Sequence, residues 1–169
     1  MMMSIGEIEI LDRLADAVKA LLADKGYQYA NPGEQAVTGK LSNLMEHRFP
    51  EWDVCPEWNR KNHEVKMLHF GLENEVAKLR AIRPDIIVHR IGEDDNVLVV
   101  EAKRVENRND AVDKAKLRAM TDAAGGYAYK VGVHLVVDMK QAAITDCEVF
   151  VGGSADANLT SALRKLLPK

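Results

Sequence analysis

Apolar positions along this chain fall into two rhythms, one near 3.6 residues and one of two, and the changes of rhythm predict the elements. Ile8, Leu11, Ala15, Val18 and Leu22 form a helical stripe, with Ser4 and Glu7 at capping-box spacing ahead of it. A first helix is therefore predicted to about Asp24, where Lys25-Gly26 stops it. Asn31-Pro32-Gly33-Glu34 reads as a second start, with Asn31 as N-cap and Pro32 in the first turn. Val37, Leu41, Leu44 and Met45 make its buried stripe, and Pro50 ends it. Trp52 to Trp58 reads as a strand that Pro56 confines to an edge or a bulge. From Asn59 to Arg83 the rhythm is weakest: Val65, Met67 and Phe70 suit a short strand, and Leu72 to Leu79 a helical turn or loop.

The two-residue rhythm is strongest at Asp85 to Arg90 and Val97 to Lys103, joined by the turn-forming residues Gly92 to Asn96, so a hairpin is expected. Asp110 to Thr121 is predicted helical, with Val112, Ala115 and Ala119 inward and Lys114, Lys116 and Arg118 on a solvated face. Gly125-Gly126 breaks the chain. Val131 to Val137 and Ile144 to Val151 follow as strands, and Ser154 caps a last helix carrying Leu159, Leu163 and Leu166. The expected fold is α/β or α+β, one mixed sheet flanked by helices.

A chain of 169 residues suits a single domain (1–169), and 47% hydrophobic with 29% charged residues is the balance of a soluble globular protein. No apolar run approaches a membrane span and no basic-then-apolar leader opens the chain, so a cytoplasmic protein with no membrane partner is expected. Two cysteines without CxxC spacing argue against a disulfide framework or structural zinc. The five histidines (His47, His63, His69, His89, His134) lack ligand spacing and are expected at surface or satisfied positions. A net charge of −3 argues against coating nucleic acid by bulk electrostatics but leaves room for a local patch.

The chemistry concentrates in Arg83 to Arg104. Glu101 and Lys103 lie two apart on a strand, on one face and about 6.6 Å apart. Pairing Arg90 with Asn96 leaves a five-residue loop and sets Asp85 opposite Glu101; a slip of one residue would part them. Mg²⁺ needs only one or two carboxylates besides substrate oxygens, and Asp85 and Glu101 would supply them, with the Ala102 carbonyl as a further ligand. The Lys103 ammonium beside them would orient water and stabilise charge on a phosphate.

Pro84-Asp85 followed by Glu101-Ala102-Lys103 resembles the motif of the PD-(D/E)xK nuclease superfamily. Glu57-Trp58-Asn59-Arg60 and Gly126-Tyr127-Ala128-Tyr129-Lys130-Val131-Gly132 also look like stretches of its small stand-alone members. The resemblance implies a restriction endonuclease-like core, αβββαβ, over Glu34 to Val137. It further implies a Mg²⁺-dependent endonuclease (Mn²⁺ as the alternative cation) acting on nucleic acid, DNA first, and a homodimer where both strands are cut. Many members carry an acidic residue on the helix before the first core strand; Glu34 is the better match and Glu46 its competitor.

Plainer readings stand beside these. Asp85 after proline is a common turn residue, and Glu101 with Lys103 could be a solvated ion pair. Glu34 also sits at capping-box spacing from Asn31. Glu93-Asp94-Asp95 is expected as a solvated turn, Glu57 and Arg60 as a structural pair, and Trp52, Trp58, Tyr127 and Tyr129 as packing residues. The functional rival is a non-catalytic module that binds nucleic acid or protein on the same fold.

Overall fold

The β-branched runs assemble into one six-stranded mixed sheet, and the helical stripes cover it on both faces. The computed structural model describes residues 4–57 and 84–169 and, between them, only the backbone of 60–61, 64–65, 67–68 and 80–81. The strands of this sheet are β1 (Asp53–Pro56), β2 (Ile86–His89), β3 (Asn96–Arg104), β4 (Val131–Asp138), β5 (Ala143–Val151) and β6 (Ser154–Ala155), in spatial order β1-β2-β3-β4-β5-β6; outside it, 60–61 pairs with 64–65 and 67–68 with 80–81. Within it β3 and β4 run parallel and the other neighbours antiparallel. The helices are α1 (Glu7–Leu22), α2 (Lys25–Ala30), α3 (Glu34–Glu46), α4 (Asp110–Thr121) and α5 (Ala157–Leu166). A parallel neighbour demands a crossover, and α4 supplies it. Among the described residues no helix is long and apolar enough to cross a membrane.

Alternation along the strands sorts side chains cleanly. Ile86, Val88, Leu98, Val100, Ala102, Val133, Leu135 and Val149 share a core with α1 and with Val37, Leu41 and Met45 of α3. The intervening positions Ile87, Val99 and Phe150 join Leu117 and Met120 of α4, with Tyr127 and Tyr129, in a smaller second core. Gly132 of β4 faces α4: a Cβ there would stand 2.9 Å from Thr121 Cγ2, so the absent side chain lets the helix lie close.

Pro56 does mark an edge, since β1 closes one side of the sheet. The hairpin pairs Ile86 with Val100, Ile87 with Val99 and Val88 with Leu98, and by the same count Asp85, one residue before β2, falls opposite Glu101. A bulge between Val88 and His89 then pairs His89 with Asn96, so the expected Arg90–Asn96 partnership is replaced near the turn only.

Several expected ends move. Gly6, without a side-chain cap, starts α1, and Ser4 Oγ instead accepts from Lys130 Nζ at 2.7 Å. Lys25-Gly26 does not merely stop a helix, because the Asp24 carboxylate caps Tyr27 N and opens α2. Asn31 closes α2 in the left-handed region (φ 45°), which asparagine tolerates, and Gly33 rather than Asn31 precedes α3. Glu34 is thus the first residue of α3 and not the third, so the capping-box reading fails. Ser154 lies in β6, and Asp156 caps α5 through Leu159 N at 2.9 Å. In α4 the buried residues are Asp113, Leu117, Met120 and Thr121, whereas Val112 is 44% exposed. Trp58, Phe70 and Leu72 to Leu79 lie outside the described residues.

Candidate active site

Alternation puts Glu101 and Lys103 on the α4 side of β3, beyond Val99, while Ala102 between them is buried in the opposite core. Asp85 enters β2 from the buried Pro84, and its Oδ2 accepts the Ala102 amide at 2.9 Å. That bond pins the acid of one strand beside the Glu-Ala-Lys segment of the next. Glu101 is wholly buried at 0% exposure, whereas the Lys103 side chain keeps 17%.

Helices complete the constellation. Lys103 Nζ donates to Glu34 Oε1 at 3.0 Å, from the first turn of α3, and lies 3.7 Å from Asp113 Oδ2 of α4. Lys116, one turn after Asp113, stands 3.6 Å from Asp113 Oδ1 and 3.0 Å from Glu101 Oε1. Glu34, Lys103, Asp113, Lys116 and Glu101 therefore form a chain of alternating charge, with Asp113 bridging the two ammonium groups. With Asp85, four carboxylates face two ammonium groups, a formal excess of two negative charges.

Burial sets the protonation of this group. It pushes the Glu101 carboxyl well above the usual range, and the charge of Asp85 adds to that against the pull of Lys116. Asp85 is also raised, again chiefly by burial, although the Ala102 amide and the charges of Lys116 and Lys103 oppose it. For Lys103, burial acts to lower the value, but Glu34, Asp113 and Asp85 together outweigh it and hold the group above its ordinary value. At neutral pH Lys103 is thus a cation and not a base.

Three members of this cluster were not among the sequence candidates: Asp113, Lys116 and His134. Asp113, Lys116, Leu117 and Met120 share one stripe of α4 at spacings of three, four and seven, a signal hidden because two of the four are charged. Lys116 therefore does not belong to a solvated face. Lys114 pairs with Glu148 and Arg118 lies over the Phe150 ring, both nearer the rim. His134 sits beside Glu101 in the parallel ladder and next to Glu148 beyond it. It is fully buried, neither ring nitrogen has a hydrogen bond among the described residues, and Nε2 lies 3.8 Å from Asp110 Oδ1 and from Asp113 Oδ2. The expectation of a surface or satisfied histidine fails there.

The remaining candidates separate by position. Glu46 is exposed at the far end of α3, about 18 Å along the axis from Glu34, so only Glu34 reaches Lys103. Glu57 lines a cavity of ≈ 240 Å³ together with Glu34, Thr38 and Asp85; the side chain of Arg60 lies outside the described residues. Glu93 and Asp94 are exposed in the turn, and Asp95 accepts from Trp52 Nε1 at 2.9 Å. Tyr127 and Tyr129 are buried, and Trp52 packs edge-on against Phe49.

The donor set suits a hard divalent cation. Among the described residues neither Glu101 oxygen receives a hydrogen bond, nor does Glu34 Oε2, although all three are buried and Lys116 meets Glu101 Oε1 through charge. A buried carboxylate oxygen without a donor is costly unless something else meets it. Among the described residues no three acidic, histidine or cysteine side chains form a ready cation cage; Asp85 and Glu101 are the two acids that could hold a cation together with phosphate oxygens and water. No family model matches this sequence, and no curated protein is significantly similar to it.

Proposed function

We propose that this protein is a metal-dependent nuclease that hydrolyses phosphodiester bonds, with DNA the expected polymer and Mg²⁺ or Mn²⁺ the expected cation. The observation that carries the proposal is the meeting of Asp85 and Glu101 across one hairpin register, with Lys103 beside them. Counting only the strands of the six-stranded sheet, and leaving aside the two-residue strands at 60–61, 64–65, 67–68 and 80–81, the order α3-β1-β2-β3-α4-β4 is the one expected of the αβββαβ core that the motif's resemblance implies. Asp85 and Glu101 would hold the cation, with the Ala102 carbonyl as a further ligand. A bound divalent ion supplies Lewis acidity toward a phosphate oxygen and lowers the pKa of the attacking water. Lys103, kept protonated by its acidic neighbours, would orient that water and stabilise negative charge developing on the phosphate. Glu34 would hold the Lys103 ammonium in place from α3.

The complete burial of Glu101 against Lys116 favours a second reading, a non-catalytic binding module whose acid has become structural. Cleavage assays separate the two. Plasmid, linear duplex, single-stranded DNA and RNA are incubated with Mg²⁺, Mn²⁺ or EDTA, using wild type, Lys103→Ala and Asp85→Asn. The nuclease reading expects EDTA-sensitive cutting that both substitutions lower by about 10²–10³-fold. Equal activity in the three proteins, or none in the wild type with either cation, removes it. Binding without cleavage would leave the module.

A further inference from the structure

We infer that Lys116 is a built-in counter-ion that holds the Glu101 carboxylate until a divalent cation displaces it, so that α4 sets how tightly the site takes its metal. The inference rests on the metal-dependent reading above. Glu101 is fixed: it is fully buried inside β3, opposite His134 of β4 and between the Val100–Val133 and Ala102–Leu135 pairs. Lys116 is the movable partner, with a flexible four-carbon stem and a side chain that retains 16% exposure. Their contact is one of charge: Nζ is 3.0 Å from Oε1, yet no aligned hydrogen bond forms. A hard cation binding the same oxygen at about 2.1 Å would meet the ammonium at close range, and like charges so near cannot both stay.

Asp113 offers Lys116 somewhere to go, since its Oδ1 is already 3.6 Å from Nζ. The other oxygen of Asp113 faces Lys103 at 3.7 Å. An ammonium withdrawn from Glu101 onto Asp113 competes with Lys103 for that carboxylate. Entry of the cation would thereby loosen Lys103 toward its substrate, which couples the two halves of the site through one helix residue. Lys116 acts through Glu101 and is a positioning residue.

The test is calorimetric titration of Mg²⁺ and Mn²⁺ into the full chain, for wild type, Lys116→Met, Lys116→Arg and Glu101→Gln at one pH. At a pH where Glu101 is ionised in every variant that retains it, Lys116→Met should bind the cation about tenfold more tightly, because the competing charge is gone. Lys116→Arg, which keeps the charge, should bind like wild type, and Glu101→Gln should lose the site. Should the methionine variant not fold, Lys116→Gln carries the same expectation. Binding by Lys116→Met that is unchanged or weaker, with Glu101→Gln still abolishing it, overturns the inference and leaves the nuclease reading standing. No cation binding in any of the four, or binding indifferent to Glu101→Gln, overturns both.

Discussion

The two faces of the sheet are built from the same strands and differ in kind. On the side of α1 and α3, alternate residues of β2, β3 and β4 are aliphatic, and the layer is buried and apolar. On the side of α4 the strands begin equally apolar, with Ile87 and Val99, and then turn to Asp85, Glu101, Lys103 and His134. Each aliphatic side chain buried on the first face stabilises the fold by about 1.5–3 kcal/mol. The charges on the second face lose hydration, and attraction between them repays that loss only where geometry is good. Among the described residues the Glu101 carboxylate receives no hydrogen bond, and its partner is the charge of Lys116. A chain that keeps such a group directly after the apolar run Val97-Leu98-Val99-Val100 is spending stability on something other than stability.

Breaking the apolar face should give the largest thermodynamic effect. Leu98→Ala removes a fully buried side chain and should cost about 2–5 kcal/mol in denaturant unfolding. Its cleavage rate per folded molecule should stay near wild type, since residue 98 points away from α4. A normal unfolding midpoint would mean the aliphatic layer is looser than its burial implies.

Breaking the charged face should invert that pattern. Glu101→Gln is expected to lose about 10²–10³-fold in cleavage rate while the metal-free protein becomes no less stable. The amide has the shape of the acid without its desolvation cost. A variant that unfolds more easily and still cuts would place the importance of Glu101 in the fold.

The same face predicts how stability responds to pH. Glu101 and Asp85 have folded-state values above those of unfolded carboxyls, so the folded protein binds more protons than the unfolded one in between. Metal-free stability should therefore fall as pH rises above about 4, by about 1.4 kcal/mol per unit for each group while it titrates, and level off above the raised values. A divalent cation needs the deprotonated acids, so its stabilising effect should grow across that window. Thermal melts from pH 4 to 9, with EDTA or Mg²⁺, read both slopes. Glu101→Gln should flatten the metal-free one, and a slope of opposite sign would refute the assignment.

How legible this was in the sequence depends on where the information lay. The hairpin register follows from parity: a two-residue period, once one aliphatic pair is matched, fixes Asp85 opposite Glu101, and the bulge at Val88/His89 disturbs only the turn end. The helix over Asp110 to Thr121 was equally plain, but its inward face was not. A stripe scored by apolar residues selects Val112 and Ala115, whereas the helix rolls to bury Asp113 and turn Lys116 inward toward strand charges that lie distant in sequence. Asn31 misled for a local reason. The asparagine that starts helices also ends them in the left-handed region, and only the contact of its Oδ1 with Arg104 Nη2 at 3.0 Å shows which end it serves. The burial of His134 needed the parallel pairing of β3 with β4, which no local pattern encodes.

The smallest expected effect is the sharpest control on the difference between the faces. Lys114 lies two residues before Lys116 on α4 and also pairs with a strand carboxylate, Glu148 Oε2 at 2.7 Å, a shorter contact than that of Lys116 with Glu101. Judged by distance, Lys114 should matter more. Both members of its pair are about one-quarter exposed, however, so water screens the attraction and replaces it readily. Lys114→Met should change stability by no more than about 0.5 kcal/mol and leave cation affinity unaltered. Titration calorimetry beside Lys116→Met, at the same pH and ionic strength, makes the comparison direct. Two methionines on one helix would then differ because one lysine faces a buried acid and the other a wet one. Equal shifts in cation affinity would show that α4 acts through its net charge and not through the contact between Lys116 and Glu101.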